Sequence, residues 1–207
     1  MISKNDFNKL AKNGYNRIPL MYEILADLDT PLSTYTKICN FPYSYLFESV
    51  EGGEKWARYS IIGLPAKKII SVTGEKVKIT ENSKLIDEYN TSDPLKEIEK
   101  IQQSYKVAQI EGMPRFSGGL VGYFGYETIR YIEPKLNKNN KEDPIGSPDI
   151  LLMVSDEVVV FDNLSGKLFI IVHADPKKNN AYSNALQRLD NISGMLRDNQ
   201  NNKSQSD

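Results

Sequence analysis

The run DILLMVSDEVVVFDNLSGKLFIIVHADP, from Asp149 to Pro176, is the densest β signal in the chain. It holds three stretches rich in Val, Ile, Leu and Phe. Branched and aromatic side chains of this kind suit a pleated, half-buried surface. Asn163-Leu164-Ser165-Gly166 supplies turn chemistry between VVVFD and KLFIIVHA, so a turn with a strand on each side is expected there. A chain carrying this run must build a sheet and cover it.

Shorter signals surround it. Ser3 can cap a helix in which Phe7, Leu10 and Ala11 recur at helical spacing and which Gly14 can stop. NRIPLMYEILA reads as a strand with a proline inside, hence an edge strand or no strand. Thr30-Pro31 opens a second helix over LSTYTKIC, and Asp93-Pro94 a third, whose Leu95, Ile98 and Ile101 form one apolar stripe. KKIISVTG, EKVKITEN and SKLIDEY read as strands; in the second, Val77 and Ile79 share a face opposite the lysines. YSNALQRLDNISGMLR is helical in period. The expected count is about nine strands and four or five helices, an α+β class with mostly antiparallel strands. DNQNNKSQSD, residues 198–207, has no apolar side chain and is expected to be a disordered tail or the start of a linker after one domain over 1–197.

Composition removes several function classes. The 26 basic and 27 acidic residues leave a net charge of −1, which steers toward neither nucleic acid nor an anionic membrane. No apolar run is long enough to span a bilayer, and MISKNDFNKL lacks the apolar segment of a signal peptide. A single cysteine, Cys39, excludes an internal disulfide and fits a reducing, cytoplasmic setting. No spacing suits metal ligands, and no catalytic residue or metal ligand is assigned in this chain. His173, the only histidine, reads as a strand-end residue and Cys39 as a small core hydrophobe. SGGLVGYFGY lacks the lysine of a phosphate loop. Its Gly118, Gly119, Gly122 and Gly125 instead suggest close backbone approach in a sheet, with Tyr123, Tyr126 and Tyr131 as core or interface aromatics.

LFESVEGGEKWARYSIIG, Leu46 to Gly63, reads as a hairpin whose arms are loaded with polar groups. Two readings stand side by side. In one, Glu48 and Arg58 form a cross-strand ion pair and Ser60 is a surface hydroxyl. In the other, an acid, a hydroxyl and a guanidinium near Tyr45 and Phe47 receive an amino acid, whose ammonium wants a carboxylate and whose carboxylate wants a cation.

Three motifs in order, LFESVEGGEKWARYSIIG, GGLVGYFGYETIRYIE and PDILLMVSDEVVVFDNLSGKLFIIV, together with RIPLMYEILADLDTPLSTYTKI, resemble the N-terminal domain of anthranilate synthase component I. The resemblance runs from about Phe7 to about Arg197. It implies orthogonally packed antiparallel sheets with flanking helices. It also implies a feedback site for L-tryptophan lined by a Leu-Leu-Glu-Ser motif, which stands here as Leu46-Phe47-Glu48-Ser49. On that footing Ser49 is the best contact, followed by Glu48 and Arg58. The family's complete subunit converts chorismate and ammonia to anthranilate and pyruvate, uses Mg²⁺, and draws ammonia from a glutamine amidotransferase subunit. The chorismate and Mg²⁺ residues belong to a further domain with no matching position here, so this chain alone is expected to be inactive. Aminodeoxychorismate synthase component I and a stand-alone tryptophan-binding module are the alternative readings.

Overall fold

The computed structural model describes residues 1–26, 29–39, 41–48, 58–133, 135–136, 143 and 145–198. In chain order the elements begin with α1 (Lys4–Lys12), β1 (Ile18–Leu25), α2 (Pro31–Ile38), β2 (Tyr45–Phe47) and β3 (Tyr59–Gly63). Next come β4 (Lys68–Thr73), β5 (Lys76–Glu81), β6 (Lys84–Asn90), α3 (Pro94–Ser104) and β7 (Gly119–Phe124). A 3₁₀ helix (Tyr126–Tyr131), β8 (Ile150–Ser155), β9 (Glu157–Asp162), β10 (Lys167–Ala174) and α4 (Ala181–Asp198) complete the order. The α+β class with antiparallel sheets and flanking helices is what the sequence suggested. Among the described residues there are ten strands rather than nine, because the glycine-rich segment supplies β7. None of the described helices is long and apolar enough to cross a membrane.

The chain divides into two compact units. The first comprises Met1–Pro65, Tyr105–Gly118 and Ser155–Asp207. Its sheet has the order β1-β10-β9-β3-β2, with every neighbouring pair antiparallel. Alternation splits its side chains between two faces. Leu168, Ile170 and Val172 of β10, with Val159 and Phe161 of β9, join the core that holds Ala185, Leu189, Ile192 and Leu196 of α4. Those four helix positions fall at steps of four, three and four, one face of a helix. Phe169 and Ile171, with Val158 and Val160, form the opposite cluster, against which Met113 and Phe116 pack.

Local signals explain where these elements start. Ser3 Oγ accepts from Asp6 N at 3.1 Å and caps α1. Thr30 and Ser33 form a reciprocal capping box ahead of Pro31. β1 is an edge strand, and Pro19 is tolerated there because an edge leaves one row of N–H positions outside the ladder.

The second unit comprises Ala66–Ser104 and Gly119–Val154. Its sheet has the order β6-β5-β4-β8-β7. Asn82 and Ser83 both have positive φ, the signature of the tight turn that joins β5 to β6. Gly122 is required by contact: a Cβ there would lie 1.9 Å from Leu151 O. Gly119 has open space, whereas in the first unit Gly118 answers the close-approach reading, with Ser155 O at 2.5 Å from its would-be Cβ. Tyr131 is tied down, its hydroxyl 2.8 Å from Gly74 O and 2.9 Å from Asp149 Oδ2. Tyr126, by contrast, is 91% exposed and is not a core residue.

The dense β run resolves into three strands divided between both sheets, β8 in one and β9 with β10 in the other, with Asp156 between β8 and β9. Its side chains from Leu152 to Val154 and from Val158 to Phe161 are buried. Residues 199–207 of the expected tail lie outside the described residues.

Candidate functional site

The hairpin read from sequence exists as a pair of antiparallel arms, with Tyr45 opposite Gly63, Leu46 opposite Ile62 and Phe47 opposite Ile61. Gly63 is dictated by its partner: a Cβ there would meet the Tyr45 ring at 1.9 Å. Tyr45 is buried and its hydroxyl lies 2.7 Å from Ser155 Oγ. Burial pushes its pKa up to about 12, partly offset by that hydrogen bond. Phe47 stands beside it, ring centroids 4.9 Å apart, and is half-exposed. The first arm therefore ends in an aromatic pair, one ring anchored and one open.

Of the expected contacts, Ser49 lies outside the described residues, as does the EGGE turn. Glu48 follows β2 directly and is exposed. Arg58 precedes β3. It does not serve the cross-strand pair with Glu48 that one reading allowed. Instead Nε donates to Asp162 Oδ1 at 2.9 Å and Nη2 to Asp162 Oδ2 at 2.6 Å. This side-on fork is the strong form of an arginine–carboxylate pair. The guanidinium also lies over the Tyr59 ring, 4.9 Å from its centroid. Ser60 is buried, not a surface hydroxyl, and accepts from Asn163 Nδ2 at 3.4 Å.

Asp162 was not singled out in the sequence, where it reads only as the residue before a turn. It is 3% exposed. Beyond Arg58, its Oδ1 accepts from Leu164 N at 3.2 Å and Ser165 N at 3.4 Å, as an acid at the head of a turn does. The Arg58 hydrogen bonds are the main cause that holds its carboxyl down at about 2, with Ser165 assisting against the opposing effect of burial. Asn163 N donates to Arg58 O at 2.8 Å, so the β9–β10 turn grips the start of β3 through backbone as well as side chain.

The other singled-out side chains are structural. His173 sits near the end of β10 with Nε2 donating to Ser117 O at 2.8 Å, and burial pushes its pKa down. Cys39 is fully buried in the α-helical side of the core, and burial pushes its thiol up to about 12, far from a nucleophile's range. Among the described residues no three His, Cys, Asp or Glu side chains converge on a point that could hold a metal ion. They do not fit a Mg²⁺ site.

The paired arms, the anchored aromatic and the β9–β10 grip lie in a chain that belongs to the chorismate binding enzymes, whose family model matches residues 44–207. Within that family it is similar to anthranilate synthase component 1. The protein of that name from Pseudomonas aeruginosa is 51% identical over 196 residues, covering 95% of this chain and 40% of its own length. The one from Neisseria meningitidis serogroup C is 50% identical over 200 residues, again covering 95% and 40%. The one from Acetivibrio thermocellus is 39% identical over 186 residues, covering 89% and 37%. The chain thus spans about two fifths of the length of these relatives. Its fold is similar to the crystal structure of anthranilate synthase component I from Streptococcus pneumoniae TIGR4, with a TM-score of 0.54 at 24% identity over 84% of this chain and 36% of that one.

Proposed function

We propose that the chain is the N-terminal, regulatory portion of anthranilate synthase component I, the carbon–oxygen lyase subunit that turns chorismate and ammonia into anthranilate and pyruvate in tryptophan biosynthesis. The observation that carries this is 51% identity sustained over 95% of the chain. Similarity to anthranilate synthase component 1 at 50% and 39% identity favours the anthranilate branch over aminodeoxychorismate synthesis. In this reading the subunit works in the cytoplasm with a glutamine amidotransferase partner that releases ammonia, and with Mg²⁺ held by residues outside this chain. Feedback by L-tryptophan acts at the β2–β3 hairpin through Ser49, Glu48 and Arg58. The exposed Glu48 and the half-exposed Arg58 guanidinium, one on each arm, support a site for an ammonium and a carboxylate.

The test uses the full-length subunit of which we propose this chain is part, with its glutaminase partner, chorismate, glutamine and Mg²⁺, followed by anthranilate fluorescence. Anthranilate should form and L-tryptophan should inhibit it. Ser49→Phe should remove a hydrogen bond to a charged group, worth roughly 1.5–3 kcal/mol, and fill space as well. The inhibitory concentration should therefore rise by about tenfold or more. Formation of aminodeoxychorismate in place of anthranilate, or unchanged inhibition of Ser49→Phe, overturns the reading.

A further inference from the structure

We infer that the cleft between β1 and the second half of α4 is a binding site for a small zwitterion, whose anionic group meets Arg197 and whose ammonium meets Asp190. This cleft is separate from the β2–β3 hairpin. β1 and β2 are the two edges of the sheet β1-β10-β9-β3-β2, four strand spacings or about 19 Å apart. The cleft is an open cavity of about 530 Å³, within the size range of small-molecule sites. Met21 and Ile24 of β1 give it an apolar wall. Its polar wall is one face of α4, where Asp190, Ser193, Gly194 and Arg197 recur at helical spacing beside the core stripe of Leu189, Ile192 and Leu196.

Three side chains in this cleft keep bonding capacity that no described residue uses. The Ser193 hydroxyl makes no hydrogen bond among the described residues, although Ser193 is only 7% exposed. A buried hydroxyl is ordinarily paired, and in mid-helix it can turn back to a preceding carbonyl. Here it lines the cavity instead. The Arg197 guanidinium has no acceptor among the described residues. Asp190 accepts from the Tyr22 hydroxyl at 2.8 Å through Oδ1, and no described cation pairs with its carboxylate. Glu23, the other acid of the cleft, is already engaged by Lys167 at 2.6 Å. Asp190 and Arg197 are two turns apart, about 10 Å along the helix axis, beyond the spacing of an intrahelical ion pair. Opposite charges held apart on one helix face, with a hydroxyl between them and an apolar wall beside them, match a ligand charged at both ends with hydrocarbon in the middle. Gly194 leaves room for it. A Cβ there would have nothing within 4 Å, so no packing contact demands a glycine at a place in α4 where it weakens the helix.

Calorimetry and thermal unfolding of the 207-residue chain test this with 6-aminohexanoate as the zwitterionic probe. Hexanoate and hexylamine, which keep one charge each, are the controls. The zwitterion should bind and raise the unfolding midpoint, as any ligand of the folded state does. It should bind at least about tenfold more tightly than either control, as the loss of one charge-assisted hydrogen bond requires. Arg197→Gln should bring 6-aminohexanoate down to the level of hexylamine and leave hexylamine where it was. Asp190→Asn should bring it down to the level of hexanoate and leave hexanoate where it was. Gly194→Leu fills the cavity from a position with open space around it. It should abolish binding of all three probes without lowering the unfolding midpoint. Arg197→Gln, at an exposed position, carries the test should Gly194→Leu fail to fold. Neither heat nor a shifted midpoint with 6-aminohexanoate at millimolar concentration overturns the proposal. So does binding that survives Gly194→Leu, or a preference for the zwitterion left unchanged in Arg197→Gln or in Asp190→Asn.

Discussion

At the scale of single residues, the Arg58–Asp162 pair has a pH signature that no ligand is needed to see. Asp162 titrates at about 2 in the folded chain, against 3.8 for a free carboxyl, chiefly because Arg58 donates to its carboxylate. A folded-state pKa below the unfolded one adds stability that is fully present above about pH 4 and is lost as pH falls toward 2. Allowing for screening at the half-exposed guanidinium, the contribution is about 1–2 kcal/mol. Asp162→Asn should be less stable than wild type by at least that amount at pH 7, and the gap should narrow between pH 4 and pH 2. Urea unfolding at pH 7, 4, 3 and 2 reads this directly; a gap constant across the window would show that the ion pair adds nothing. The pair also marks a limit of sequence reading. Arg58 and Asp162 are separated by 104 positions, so nothing local in either stretch announces the other. Cys39 and His173 were legible because an apolar helix stripe and a strand end already describe their surroundings. The buried state of Ser60 was not, since a hydroxyl beside an arginine reads as surface until its strand is placed between neighbours.

At the scale of elements, glycines separate two kinds of constraint. A Cβ on Gly122 would sit 1.9 Å from Leu151 O and 2.9 Å from Leu151 C. The obstacle is backbone, which yields only by separating β7 from β8. Gly122→Ala should cost about 1–3 kcal/mol or more as an overpacked contact. Gly194, in α4, has nothing within 4 Å of its would-be Cβ. There alanine should gain about 0.5–1 kcal/mol by restricting the unfolded chain. Thermal unfolding of the two variants should move in opposite directions, and a stable Gly122→Ala would show that the β7 edge is not held as described. Elements of this size were largely readable in advance. Caps at Ser3 and Thr30-Pro31, the proline that places β1 at an edge, and the turn after Asp162 are all written within a few residues of where they act. What local sequence does not carry is partnership. SDE in the dense β run gives no sign that β8 pairs with β4 while β9 pairs with β3 and β10, because a strand's partner is chosen by long-range burial rather than by its own alternation.

At the scale of the whole molecule, the relatives place about three fifths of their length outside the region this chain matches. Among the described residues no cluster of acids or imidazoles could hold a metal ion, and the one histidine is committed to Ser117 O. The expected ligand contacts, Glu48, Ser49 and Arg58, come from one hairpin, whereas sites for small molecules bury most of the ligand in a concavity. The 207-residue chain should therefore give no anthranilate above a no-protein blank when supplied with chorismate, Mg²⁺ and ammonium. It should also bind L-tryptophan weakly. If half of the contacts lie elsewhere in the complete subunit, several kcal/mol go with them, on the order of a thousandfold in affinity. Calorimetry of L-tryptophan into the folded chain is the deciding measurement. A saturating isotherm in the low micromolar range would mean that the hairpin forms the whole site unaided, and the chain would then be a stand-alone tryptophan-binding module rather than part of a larger catalytic subunit.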